Sequence, residues 1–164
     1  MKKLIATTKN GVDVYLDTEH SHAATHIAHH SELLEFAKNI IADCVFSGRF
    51  LKFSTDMGGV VGNSDLVETT ANDDTFYAKR PNRRNYTRFV NGKNAEPTRF
   101  VTLELRKVDD QVMLFTVYIG GATPPFPYGK DDPHQDGREF WKTHALVTGN
   151  QEYLEETVTK ECPW

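Results

Sequence analysis

The stretch SELLEFAKNIIADCVF, Ser31–Phe46, reads as an amphipathic helix. Leu33, Leu34, Ala37, Ile40, Ile41, Cys44 and Val45 recur at steps of three and four, so they line one stripe of a 3.6-residue period. Ser31 is an N-cap residue type. Glu32 and Glu35 fall in the first turn, where carboxylates meet the positive end of the helix dipole, and Gly48 follows the last turn. The sequence therefore predicts one long helix in the N-terminal half. Directly before it, EHSHAATHIAHH, Glu19–His30, holds five of the seven histidines. A helix starting earlier, near Thr25, would put His26 and His30 on one face at i, i+4.

Outward from the helix the pattern turns to strands. Residues 3–8 and 12–16 flank Lys9-Asn10-Gly11, and Asn-Gly signals a tight hairpin turn. Residues 49–54 alternate as a strand. Four β-like runs follow, 75–80, 86–90, 98–106 and 111–119, joined by short connections that suggest an antiparallel meander. Val101, Leu103 and Leu105 share one face, opposite Thr102, Glu104 and Arg106. Thr116 and Tyr118 share a face opposite Phe115, Val117 and Ile119. After a proline-rich loop, residues 120–137, the run Arg138–Val147 reads as a shorter helix carrying Phe140, Trp141 and Leu146. The expected fold is α+β: a mainly antiparallel β-sheet packed against one long N-terminal-half helix and a shorter C-terminal helix. A chain of 164 residues without a linker signature is read as a single domain, 1–164.

Composition narrows the function classes. No apolar run approaches the roughly 20 residues that cross a bilayer, and the apolar stretch after Met1-Lys2-Lys3 is too short for a signal peptide. Cys44 and Cys162 make no disulfide framework. A cytoplasmic protein with no membrane partner is expected. Net charge is −4, but residues 79–107 carry nine cations (Lys79, Arg80, Arg83, Arg84, Arg88, Lys93, Arg99, Arg106, Lys107) against Glu96 and Glu104. That segment sums to +7 and the rest to −11, an asymmetry suited to an anionic ligand on one face, or to a solvated sheet face.

The histidines can pass protons near neutral pH. Their i, i+4 spacings also fit a metal, with Glu19, His134 and Asp136 as further ligand types. There is no HExxH and no complete zinc set, so no metal and no cofactor is expected. Exposed loop histidines remain the plain alternative. Arginine forks match phosphate oxygens, and Tyr77 and Tyr86 among the cations suit base stacking. No nucleophile elbow or P-loop is present.

The order of these parts resembles the barnase, EndoU, colicin and RelE-like ribonuclease superfamily, which includes many bacterial toxins. The resemblance rests on HIAHHSELL, YAKR, RRNYTRFV and LFTVYIG and spans roughly residues 25–120. It implies metal-independent RNA cleavage in which a 2′-hydroxyl attacks the adjacent phosphate. His26 or His30 would be general base or acid, Arg84 and Arg88 would stabilise the transition state, and Thr116 and Tyr118 would position the phosphate. Tyr77, Lys79, Arg80, Arg83 and Tyr86 would bind substrate. RNA, with a cognate inhibitor protein if the chain is toxin-like, is the expected partner. The alternative is a non-catalytic RNA- or protein-binding module of phage or mobile-element origin.

Overall fold

The computed structural model describes residues 1–133 and 135–164; His134, named above as a further metal-ligand type, lies outside them. In chain order the elements are β1 (Lys2–Thr7), β2 (Asp13–Asp17), α1 (His22–His29), α2 (Glu32–Asp43), β3 (Phe50–Asp56), β4 (Gly62–Ser64), β5 (Leu66–Glu68), β6 (Asp74–Lys79), β7 (Tyr86–Asn91), β8 (Glu96–Thr98), β9 (Phe100–Val108), β10 (Gln111–Ile119), α3 (Gln135–Trp141) and β11 (His144–Val147), then a 3-10 turn at Glu155–Thr157. The α+β class holds. These elements gather into two compact units, residues 1–62 with 98–122 and residues 63–97 with 123–164.

The first unit is a five-stranded sheet in the order β1-β2-β10-β9-β3, packed by α1 and α2. The N-terminal hairpin forms as the Asn-Gly signal requires, with Gly11 at φ 83° in the left-handed region. The Asn10 side chain donates to the Phe46 carbonyl at 2.8 Å and accepts from the Phe46 N–H at 3.1 Å, which ties the turn to the segment leaving α2. Val14, Leu16, Leu33, Ala37, Ile41, Val101, Leu103, Leu105, Leu114 and Val117 are buried in one core. Each large one contributes about 1.5–3 kcal/mol through burial.

Two helices stand where one long helix is expected. Ser21 caps α1 by accepting from the Ala24 N–H at 3.0 Å, and His30 ends it with φ −137°. Ser31 is helical at φ −60° and makes no side-chain cap bond, so it is not the cap that its residue type suggests. The cause is visible in the stripe. A continuous helix would turn His30 and Ser31, three and four residues after Ile27, toward the core. The break lets Ala23 and Ile27 of α1 and Leu33, Ala37, Ile40 and Ile41 of α2 share that core without them.

The four β-like runs form two hairpins in two sheets, where one meander is expected. β9 and β10 pair antiparallel in the first unit, closed by Asp109 at φ 54°; β6 and β7 pair antiparallel in the second. A short connector reads the same whether the chain turns back or crosses to another sheet. The sheets are mixed, because β2 runs parallel to β10 and β7 parallel to β11. Register also shifts between Leu114 and Thr116, a bulge at Phe115.

The second unit is a four-stranded sheet in the order β5-β11-β7-β6. The helix expected over 138–147 is shorter and earlier, and its second half is the strand β11 between β5 and β7. His144–Val147 alternates half-buried and buried, a period of two that four residues are too few to display against a helical period. Trp141 is buried, stacks on Phe126 at 3.7 Å and donates to the Pro124 carbonyl at 3.1 Å. The chain end straps the free edge of β6: Tyr77 and Thr159 exchange backbone bonds of 2.8 and 2.9 Å.

Candidate active site

β9 presents Thr102, Glu104 and Arg106 on the face opposite its core residues Val101, Leu103 and Leu105. Its neighbours present Ser54, Lys52 and Phe50 from β3 and Tyr118, Thr116 and Met113 from β10 at matching register. This face is polar at its centre. Thr102 donates to the Gly120 carbonyl at 2.7 Å. Its oxygen is 2.8 Å from Ser54 Oγ, and Ser54 Oγ accepts from the Ala122 N–H at 2.6 Å. Since the Thr102 hydrogen goes to Gly120, Ser54 is the donor between the two hydroxyls.

Glu104 is the unusual member, a carboxylate 5 % exposed in the middle of a sheet. A buried charge needs a partner, and Arg106 Nε donates to Glu104 Oε1. The Arg106 guanidinium carbon lies 3.6 Å above the Phe115 ring, so the bulge supplies a platform that holds the guanidinium. Phe115 therefore faces Arg106, and does not join Val117 and Ile119 as the simple alternation predicts.

α1 lies along β10 and brings two imidazoles to this row. His22 sits 5.7 Å from the Phe115 ring and His26 sits 6.4 Å from the Tyr118 ring, both tilted. They are one helical turn apart, so they share a face. Both remain exposed by surface area. Packing around His26 still removes enough water to lower its pKa from the ordinary 6.5, and the charges of His22, His29 and His30 add to the effect. Burial raises the Tyr118 phenol above its usual 10.0; Thr102 pulls the other way and the Glu104 charge adds to the rise. At neutral pH the site thus holds an unprotonated imidazole and a protonated phenol beside the Glu104–Arg106 pair.

The expected site residues divide between the units. His26, Thr116 and Tyr118 come together in the first. His30 is in the gap between α1 and α2, exposed, with Nδ1 3.6 Å from Glu32. Arg84 and Arg88 lie in the second unit. Arg84 is exposed. Arg88 is 8 % exposed and donates to Thr69 at 2.7 Å, to the His144 carbonyl at 3.1 Å and to Thr75 at 3.4 Å. Those bonds join β7 to its sheet neighbours, so the guanidinium expected to stabilise the transition state is engaged within the second unit.

The residues expected to bind substrate are also in the second unit. Tyr77 has its backbone paired with Thr159 and its ring edge-on to Trp164 at 5.1 Å. Lys79 lies 5.2 Å over the Tyr86 ring. Arg80 donates to Gln151 at 3.1 Å and Arg83 is exposed. The basic strip is divided between the units: Arg99 pairs with Asp56 and Arg106 with Glu104 in the first, and Lys93 with Asp73 in the second. The sequence alone gives Glu104 and Phe115 no role, places Arg106 only among the cations of 79–107, and offers His22 only as an i, i+4 metal-ligand partner of His26. The available signal is Glu104 itself, an acid set between Leu103 and Leu105 in the strand pattern.

No cluster of three metal-ligating side chains occurs among the described residues, and no helix among them is long and apolar enough to cross a membrane. Neither a protein-family model, nor a curated protein, nor a solved structure matches the chain.

Proposed function

We propose that the first unit cleaves RNA without a metal ion, by attack of a 2′-hydroxyl on the adjacent phosphodiester. The observation that carries this reading is the row His26–Tyr118–Glu104–Arg106, a base, an acid and an anchored cation along one sheet face. His26, neutral near pH 7, takes the 2′-hydroxyl proton as the 2′-oxygen bonds to phosphorus. Arg106, oriented by Glu104 and Phe115, faces the charge that builds on the non-bridging oxygens. Tyr118 keeps its proton at neutral pH and gives it to the departing 5′-oxygen, while Thr116 holds the phosphate. The products are a 2′,3′-cyclic phosphate and a free 5′-hydroxyl. Arg106 thereby takes the role that the sequence resemblance assigns to Arg84 and Arg88. A toxin-like physiological role is the finer part of the same proposal.

The test is incubation of the purified chain with total RNA in excess EDTA, beside His26→Ala and Arg106→Ala proteins that retain the native circular dichroism spectrum. Cleavage by the wild type with cyclic phosphate ends, and loss in both variants, supports the reading. Equal cleavage by all three places the activity elsewhere. A second reading, a non-catalytic RNA-binding module, is favoured by the arginines of the second unit that have no carboxylate partner. It predicts RNA binding with no cleavage at any pH.

A further inference from the structure

Arg80 in the second unit is a cation without a counterion. The turn Arg80-Pro81-Asn82-Arg83 explains how it comes to be there. Proline at the second position and Asn82 at φ 61° in the third fit a type II pattern, and the Arg83 N–H donates to the Arg80 carbonyl at 3.1 Å. The two arginines therefore begin and end one tight turn. Arg80 is half-buried and fixed: Nη1 donates to Gln151 and the guanidinium carbon lies 5.8 Å over the Phe126 ring. Nε is buried with no partner, and no protein acceptor meets Nη2 among the described residues.

The surroundings worsen the position of this charge. No carboxylate among the described residues lies within ion-pair distance of Arg80, Arg83 or Arg84, while Arg83 adds a like charge. Burial and Arg83 together bring the Arg80 pKa down to about 10, so it still carries its charge at neutral pH. A half-buried cation with no anion costs stability, and an anion arriving from outside would offset that cost. The guanidinium is already oriented, which lowers the entropy cost of binding.

We propose that the second unit holds a phosphate-binding site of its own, built on Arg80 and Arg83, which takes a phosphodiester of single-stranded nucleic acid. Arg80 supplies a fixed guanidinium, with Nη2 free of a protein acceptor among the described residues, and Arg83 an exposed cation from the other end of the turn. The phosphate requirement stands on these residues alone; the choice of nucleic acid rests on the ribonuclease reading of the first unit. This site would bind a stretch of the strand without taking part in the chemistry.

The experiment measures binding of a labelled, fully 2′-O-methylated RNA oligonucleotide to the full chain by fluorescence anisotropy across a salt series. This ligand has no free 2′-hydroxyl, so binding is read apart from cleavage. Arg80→Gln and Arg83→Ala are compared with the wild type, with pyrophosphate as competitor and labelled polyglutamate as a second ligand. We expect about tenfold weaker binding for Arg80→Gln and a salt slope smaller by about 0.7, the value of one lost contact on a single strand. Arg83→Ala, exposed and safe for folding, should weaken binding severalfold, and pyrophosphate should compete with the oligonucleotide. Unchanged affinity in both variants with native circular dichroism overturns the proposal. So does polyglutamate binding more tightly than the oligonucleotide, or a wild type that does not bind the oligonucleotide. Absence of cleavage alongside Arg80-dependent binding would refute only the ribonuclease reading.

Discussion

Arg106→Ala leaves Glu104 buried without its cation. Removing one partner of a fully buried pair costs about 3–5 kcal/mol. The Arg106 side chain is 44 % exposed, so water reaches the vacated space and the penalty falls toward that of a surface pair, to about 2 kcal/mol. Loss of the stack on Phe115 adds about 0.5–1 kcal/mol, for a total near 2.5 kcal/mol. For a chain of this size that is a fall in Tm of roughly 5–10 °C. Adding Glu104→Gln removes the stranded charge, so the double variant should regain more than half of the loss. Circular dichroism melts of the four proteins give the coupling directly. Both tryptophans lie in the second unit, so tryptophan fluorescence followed in parallel shows whether the loss stays in the first. Additive effects of the two substitutions would refute the argument that Arg106 exists to compensate Glu104.

Four further outcomes follow from the same structure. The pH profile of RNA cleavage should rise with a midpoint below 6.5, set by His26, and fall only above 10, set by Tyr118; a rising limb above 6.5 would remove His26 as the base. The same shift bears on stability. Between the folded pKa of His26 and 6.5 the unfolded chain binds more protons, so stability declines as pH drops below 6.5, and His26→Gln should flatten that decline in a pH series of melts. Gly137→Ala would place a Cβ 2.7 Å from the Pro125 carbonyl oxygen, backbone that cannot step aside, at a cost of about 1–3 kcal/mol read through Trp141 fluorescence. Arg88→Met should destabilise the second unit by about 2–4 kcal/mol by stranding buried acceptors, with RNA cleavage per folded molecule unchanged.

Local signals in the sequence carried the local structure. Asn10-Gly11 specified the first hairpin, the Leu33–Ile41 stripe specified α2, and alternation placed Thr102, Glu104 and Arg106 on one face of β9. Three kinds of information were not local. The polar gap at His30-Ser31 is evident only when Ile27 and Leu33 are required to share a core, so the sequence shows the i, i+4 spacing of His22 and His26 without the helix break that sets them apart from His30. The bulge at Phe115 leaves the period of two intact in the sequence, which hid the platform under Arg106. The chain crossings near residues 62 and 97 carry no composition break, so the cations of 79–107 looked like one strip when they belong to two units. That is also why Arg88, a buried sheet clamp, was indistinguishable by residue type from a phosphate ligand.

The most direct measurement is a comparison of one oligonucleotide sequence made as RNA and as its fully 2′-O-methylated form, each incubated with the wild-type chain in excess EDTA. The account predicts cleavage of the RNA to 2′,3′-cyclic phosphate ends and an intact methylated strand. Cleavage of both strands, or of neither, would contradict it.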